Sequence, residues 1–278
     1  SFGIQVSGDL LPNANGRRIL HYAAMYAGEG GITEVYGGLS VNIMDWFAIG
    51  ANVYYMFGDV SNYRALTFYE SGMHDVAMYG TLKVSSVRTR VGAQFFHAFD
   101  DKHSFVVGAI FEPKLPFNGD YSVIETNWLD TVQYVDADIQ VPMQWGIGAS
   151  YTWHQRLTLA FDYTYQGWGE VKTFTNQNLR SRSIYALGVE YRHNPYGREY
   201  VDRVCWRVGA KMTDPYQQSV NGKEFKVSIG IGLPLRNSAT IFNATVEYGH
   251  RGVLLKEDYM KLTINAAINE NWFFKRKL

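Results

Sequence analysis

The sequence predicts an all-β protein, one antiparallel transmembrane β-barrel of about 12 visible strands spanning residues 1–278. Three observations carry this. Apolar and polar residues alternate with a period of two through run after run, the pattern of strands wet on one side only. Each run is about ten residues long, the length that crosses a bilayer as a tilted strand. Connections between runs alternate long and short, as in barrels with tight turns at one rim and longer external loops at the other.

The rhythm begins at Phe2, Ile4 and Val6, already within a strand. That abrupt start leads to an expectation of further sequence upstream, which would raise the count to about 14 strands. A stretch from 9 to 31 follows as a long connection. Strand two (33–43) places Val35, Leu39, Val41 and Ile43 opposite Tyr36, Gly38, Ser40 and Asn42, and a tight turn leads to strand three, 47–57. After a long excursion, 58–82, Val87, Val91, Ala93 and Phe95 oppose Arg88, Arg90, Gly92 and Gln94. The turn at 99–102 is short, and Phe105, Val107, Ala109 and Phe111 form strand five before Pro113 and Pro116. A second excursion reaches about residue 139. Trp145, Ile147, Ala149 and Tyr151 then oppose Gln144, Gly146, Gly148 and Ser150; Leu159, Phe161 and Tyr163 oppose Thr158, Asp162 and Thr164. Tyr185, Leu187 and Val189 oppose Gly188, Glu190 and Arg192. Strand nine puts Val204, Trp206, Val208 and Ala210 against Arg203, Cys205, Arg207 and Lys211. The last three strands set Phe225, Val227 and Ile229 against Lys226 and Ser228, Phe242 and Val246 against Asn243 and Glu247, and Met260, Leu262 and Ile264 against Lys261 and Thr263.

Composition agrees. The chain holds 20 Tyr, 16 Phe and 7 Trp with only 7 Pro, a strand-forming mixture. Aromatic residues gather near strand ends (Phe47, Tyr55, Phe57, Trp145, Trp153, Tyr163, Tyr165), as interface girdles do. No apolar run approaches the length of a helical span. Mean hydropathy is slightly negative, as expected where lumen-facing residues offset lipid-facing ones. A formal net charge of zero gives no case for nucleic acid as a partner. The single cysteine, Cys205, excludes an internal disulfide and a cysteine-rich metal site.

Two stretches carry a family resemblance: GEGGITEVYGGLSVNIMDWFAIGANVYYMFGDV, from Gly28 to Val60, and the ending INENWFFKRKL, from Ile268 to Leu278. Together they resemble FadL/TodX-like outer-membrane proteins of Bacteroidota. The resemblance implies a bacterial outer-membrane barrel of fourteen strands and passive uptake of hydrophobic small molecules. In the transporters an N-terminal hatch occupies the lumen; the present sequence opens in a strand instead. Relatives of this barrel type also serve as non-transporting subunits of larger machines for protein secretion or barrel assembly. The implied partners are therefore the lipid bilayer, other outer-membrane proteins or lipoproteins, and a hydrophobic small molecule.

The inward faces collect Arg88, Arg90, Asp162, Glu190, Arg192, Arg203, Arg207, Lys211, Lys226, Glu247 and Lys261. Charges at membrane depth are costly unless paired or hydrated, so these read first as an ion-pair network bracing the lumen. Long side chains on that face predict a filled interior rather than an open pore. External loops bring Tyr69, Phe117, Tyr121, Trp128, Trp168 and Phe174, a candidate surface for a ligand or partner. His97, Asp100, Asp101 and His103 crowd one turn, but a metal site needs convergent geometry that such spacing does not supply. Asp136 and Asp138 fit no calcium-loop signature. No histidine stands in a nucleophile–base motif, no lysine-bearing phosphate loop is present, and no cofactor or enzymatic activity is expected.

At the C-terminus Trp272, Phe273 and Phe274 suit the membrane interface, with Lys275, Arg276 and Lys277 just outside it. By resemblance to barrels generally, this aromatic ending is the insertion signal. Deleting 270–278 is expected to lower the fraction of protein recovered in the outer membrane; normal insertion of the truncated chain would refute the assignment.

Overall fold

The computed structural model describes residues 2–10, 20–69, 74–117, 119–126, 131–136, 139–171, 179–216, 222–235, 240–252 and 256–267. Its strands are β1 (Phe2–Leu10), β2 (Leu20–Met44), β3 (Phe47–Phe68), β4 (Val76–Ala98), β5 (His103–Glu112), β6 (Leu115–Phe117), β7 (Gly119–Thr126) and β8 (Thr131–Asp136). They continue as β9 (Ile139–Val141), β10 (Gln144–Trp153), β11 (Leu157–Gln166), β12 (Arg182–Arg192), β13 (Cys205–Thr213), β14 (Glu224–Pro234), β15 (Ile241–Gly252) and β16 (Lys256–Ala267). One path of antiparallel neighbours runs β1-β2-β3-β4-β5-β10-β11-β12-β13-β14-β15-β16. β7 pairs with β4 and β8 with β7, making a 14-stranded sheet, while β6 and β9 form a separate ribbon. The architecture is the antiparallel transmembrane β-barrel that the alternation predicts.

The outer face is apolar and uncovered. Leu39 is 88% exposed, Met260 75%, Ile229 66% and Leu262 64%, whereas the described residues buried by protein include small or polar ones such as Ala24, Ser86, Glu112 and Cys205. A water-soluble sandwich would bury such leucines and isoleucines at roughly 25 cal/mol per Å² of apolar surface. Here that face meets lipid, and the inner face is wet. The protein is therefore inverted relative to a soluble domain, with its apolar surface outward and its charges within.

Three strands run far past the membrane. β3 has 22 residues and β4 has 23, each about twice a tilted crossing. The expected connection at 58–82 is thus mostly strand: β3 pairs with β4 from Phe47↔Phe95 up to Leu66↔Val76. The stretch expected as a connection at 9–31 likewise holds the upper part of β2, paired with β1 through Phe2↔Gly28 to Leu10↔Leu20. The excursion after β5 adds β7 on β4 through Thr81↔Ser122 and neighbouring pairs. Strand-forming residues such as Tyr63, Thr67, Tyr79 and Thr81 continue the extended backbone there, but their alternation no longer has a dry side. A search for one-sided apolar runs stops at the membrane edge. The result is an external sheet of six strands built on β2, β3 and β4.

Where this sheet leaves the barrel, Gly30 and Gly58 adopt φ of 97° and 139°. A Cβ on Gly58 would collide with the Gly31 carbonyl, and one on Gly30 with that of Asp59. Only glycine takes both the conformation and the close approach. At the opposite rim the connections are tight and tied together. His154 N donates to Lys102 O (2.6 Å), and Arg192 N donates to Arg156 O (2.7 Å). His154 and Gln155 both sit at positive φ, 52° and 56°, at the centre of the tight turn that Arg156 N closes on Trp153 O.

Candidate functional site in the polar lumen

Register stacks the inward residues of neighbouring strands into rows, and the charged ones fall into belts. The upper belt lies where Arg90 pairs with Asn52, Gln144 with both Glu112 and Gln166, and Gln166 with Arg182. Its centre is Glu112, 2% exposed. Arg90 Nε donates to Glu112 Oε1 (2.5 Å) and Arg88 Nη1 to Oε2 (2.9 Å), while Gln144 Nε2 lies 3.4 Å from Oε1. Arg88 Nη2 also reaches Glu34 Oε2 at 2.8 Å. The ring of Tyr54 lies 4.7 Å from the Arg88 guanidinium and 5.1 Å from that of Arg90. From there a chain of amides leads outward: Gln166 Nε2 donates to Gln144 Oε1 (2.6 Å), and Trp168 Nε1 to Gln166 Oε1 (3.1 Å).

The lower belt is assembled around Glu190. Arg207 Nε donates to it at 2.7 Å and Arg192 Nη2 at 3.4 Å. Arg207 Nη1 continues to Asn243 Oδ1 (2.5 Å), whose amide donates to Asn265 Oδ1 (2.9 Å). Arg192 Nε reaches the buried Cys205 Sγ at 3.0 Å. A third group holds Lys226 between Glu224 (3.2 Å) and Glu247 (3.7 Å), above the Tyr259 ring.

Long side chains do not fill the lumen, contrary to the expectation from sequence. A cavity of about 870 Å³ lies inside, lined by residues of β2 to β5 and β10 to β13. The reason is segregation. The charges bond to one another against the wall, and between the belts the inward positions are small: Gly50, Gly92, Gly108, Gly146, Gly148 and Ala186 all border the cavity.

Of the eleven predicted lumen charges, Arg88, Arg90, Glu190, Arg192, Arg207, Lys226 and Glu247 are gathered into these ion-pair groups. Asp162 and Lys211 line the cavity and make no hydrogen bond or ion pair among the described residues. Lys261 faces Glu247 across β15 and β16 and makes no ion pair among the described residues. Arg203 departs from expectation. It lies in a short helix, α1 (Tyr200–Arg203), over the Tyr200 ring, because β13 starts only at Cys205. Among the external aromatics, Tyr69 is 67% exposed at the end of β3, whereas Tyr121 is a paired residue of β7. Trp168 packs on Tyr216 with ring centres 5.6 Å apart. Trp128, Phe174, Trp272, Phe273, Phe274 and Asp138 lie outside the described residues, as do the side chains of Phe117 and Asp136.

The turn rich in His and Asp is a structural device. Asp100 Oδ1 accepts from the backbone N–H groups of Lys102 (2.8 Å) and His103 (2.7 Å). The Lys102 bond, joined by that of His103, outweighs desolvation and holds the Asp100 carboxyl below the usual carboxylate range. His103 Nδ1 pairs with the Tyr151 hydroxyl at 2.5 Å. Among the described residues no three His, Cys, Asp or Glu side chains converge on a metal position.

Sequence reasoning missed Glu112, Glu34, Glu224 and Tyr54. Glu112 shares the inward parity of Gly108 and Ile110, so carrying the alternation one step further toward Pro113 would have found it. Glu34 and Tyr54 were likewise available by parity with Arg88, opposite which Tyr54 stands.

An apolar exterior over a charged, partly hollow interior defines an integral β-barrel of the bacterial outer membrane. Solved structures share this fold. The CymD monoaromatic hydrocarbon channel aligns with a TM-score of 0.63 at 13% identity, over 96% of this chain and 86% of that one. A FadL homologue of Pseudomonas aeruginosa gives 0.59 at 12% identity, over 89% and 72%. The Ralstonia pickettii toluene transporter TbuX gives 0.58 at 13%, over 90% and 78%. The BamG family profile matches residues 10–278, and the chain belongs to that family. No curated protein matches the sequence.

Removing one member of a buried ion-pair group leaves its partners uncompensated, at a cost of about 3 kcal/mol or more. Glu112→Ala is therefore expected to lower the urea midpoint of the detergent-folded barrel, and Glu112→Gln to lower it less. An unchanged midpoint for Glu112→Ala would show that Arg88 and Arg90 do not depend on Glu112.

Proposed function

We propose that the protein is a passive outer-membrane conduit for small molecules, with the lumen chamber as its waypoint. The chamber itself is the observation that carries this reading: about 870 Å³ of space within a barrel whose ion-paired charges are drawn aside into belts, leaving Asp162 and Lys211 on the chamber wall. The volume suits a small solute. Likeness of fold to a monoaromatic hydrocarbon channel and a toluene transporter supports a conduit. Those cargoes are the neighbours' own. Here apolar residues such as Phe96, Val106 and Ile110 share the lining with Gln94, Gln144, Gln166 and the unpaired Asp162 and Lys211, so the wall accepts solutes that bring polar groups of their own. Nothing in this reading requires catalysis.

A second reading is a barrel that acts as a subunit of a larger outer-membrane assembly. Membership of the BamG family and the external six-stranded sheet favour it, since that sheet adds a surface that a simple pore does not need.

Proteoliposomes carrying the purified chain are expected to take up small polar solutes and toluene faster than empty liposomes, with the polar solutes favoured. Equal rates with and without protein would overturn the conduit. Under the subunit reading, gentle extraction at native expression recovers defined outer-membrane protein or lipoprotein partners; a clean monomer would overturn it.

A further inference from the structure

Two of the lumen charges left out of the belts, Asp162 and Lys211, stand in one row of the sheet. Asp162 pairs with Ala186, and Ala186 with Lys211, so the carboxylate and the ammonium flank a methyl group on the wall. Two strand spacings separate their Cα atoms, about 10 Å. On the Asp162 side the row continues through Gly148 and Gly108 to Gln94. The Asp162 carboxylate leans over Gly148, where a Cβ would collide with it, and so away from Lys211. On the other side Lys211 abuts Lys226, whose charge Glu224 and Glu247 already compensate.

Their neighbours make this pair unusual. Nearby lumen charges are matched at hydrogen-bonding distance, as the cost of an unpaired charge at membrane depth demands. Asp162 and Lys211 are both exposed to the lumen, both border the cavity, and neither bonds to the protein among the described residues. They set a negative and a positive pole on one wall with only Ala186 between. Such a fixed field orients a solute whose own charges are opposite and separated. Gln94, further along the row beyond Asp162, and Gln144 and Gln166 above it also border the cavity, so amide donors and acceptors surround the negative pole.

We propose that Asp162 and Lys211 form a binding site for a small zwitterion, an ammonium and a carboxylate held apart by roughly the length of a dipeptide. The ammonium sits on Asp162 and the carboxylate on Lys211. The inference rests on the conduit reading for its purpose and names the class of solute that the chamber holds.

Equilibrium dialysis of radiolabelled glycylglycine against the full chain in detergent tests this. Saturable binding is expected, displaced by unlabelled glycylglycine and not by the neutral N-acetylglycylglycinamide. Asp162→Asn and Lys211→Met are each expected to weaken binding roughly tenfold or more, the scale of one charge-assisted contact. The exchange Asp162→Lys with Lys211→Asp keeps both poles and is expected to restore binding. Heat-modifiable gel mobility checks that each variant is folded. Equal displacement by the neutral compound, undiminished binding by both folded single variants, or no saturable binding would overturn the site. Liposome flux without saturable binding removes the site and leaves the conduit; saturable binding without flux keeps the site and removes the conduit.

Discussion

In hydrocarbon a peptide group has no water to bond, so every backbone N–H and C=O within the bilayer must find a protein partner. Strand pairing meets that demand, and it fixes register as well. Register in turn decides which side chains share a row, because a slip of one residue would turn every side chain to the opposite face. The rows through Arg90 and Glu112, through Asp162 and Lys211, and through Glu190 and Arg207 all follow from this constraint. The chemistry of the lumen is thus a product of backbone hydrogen bonding in the wall.

The same constraint explains how charge is tolerated. Glu112 is nearly inaccessible, yet two guanidiniums and an amide surround it. Glu190 holds two arginines, and Lys226 two carboxylates. Each group braces adjacent strands across the inner face while leaving the intervening glycine and alanine positions open. The chamber is what remains when strong interactions draw the charges to the wall. Cation–π contact of Arg88 and Arg90 with Tyr54 adds apolar cover on the side toward β3.

Much of the barrel was legible because a wet face and a dry face leave a period of two. Trp145 to Tyr151 and Trp206 to Ala210 point as their parity requires. The period of two loses its meaning where a strand no longer has a dry face. Above the membrane both faces of β3 and β4 meet water or protein, so Tyr63 and Tyr79 carry no one-sided signal and the strands read as loop. Ion-pair membership was legible by parity for Arg88, Glu190 and Arg207. Glu112, the partner of Arg88 and Arg90, was lost beside a proline that was read as the strand's end. The hollow lumen could not be read at all, since a list of inward arginines does not say whether they reach across the space or fold against the wall. Hydrogen-bond geometry decides that, and it brings together residues such as Arg88 and Glu34, 54 positions apart.

The central claim is that alternate residues of each spanning strand face lipid and a wet lumen. Spin labels placed singly along β10 test it most directly, by collision with lipid-soluble oxygen and with a water-soluble nickel chelate. Labels at Trp145, Ile147 and Ala149 should collide chiefly with oxygen, and labels at Gly146, Gly148 and Ser150 chiefly with the chelate. Uniform accessibility, or an alternation of the opposite phase, would contradict the account.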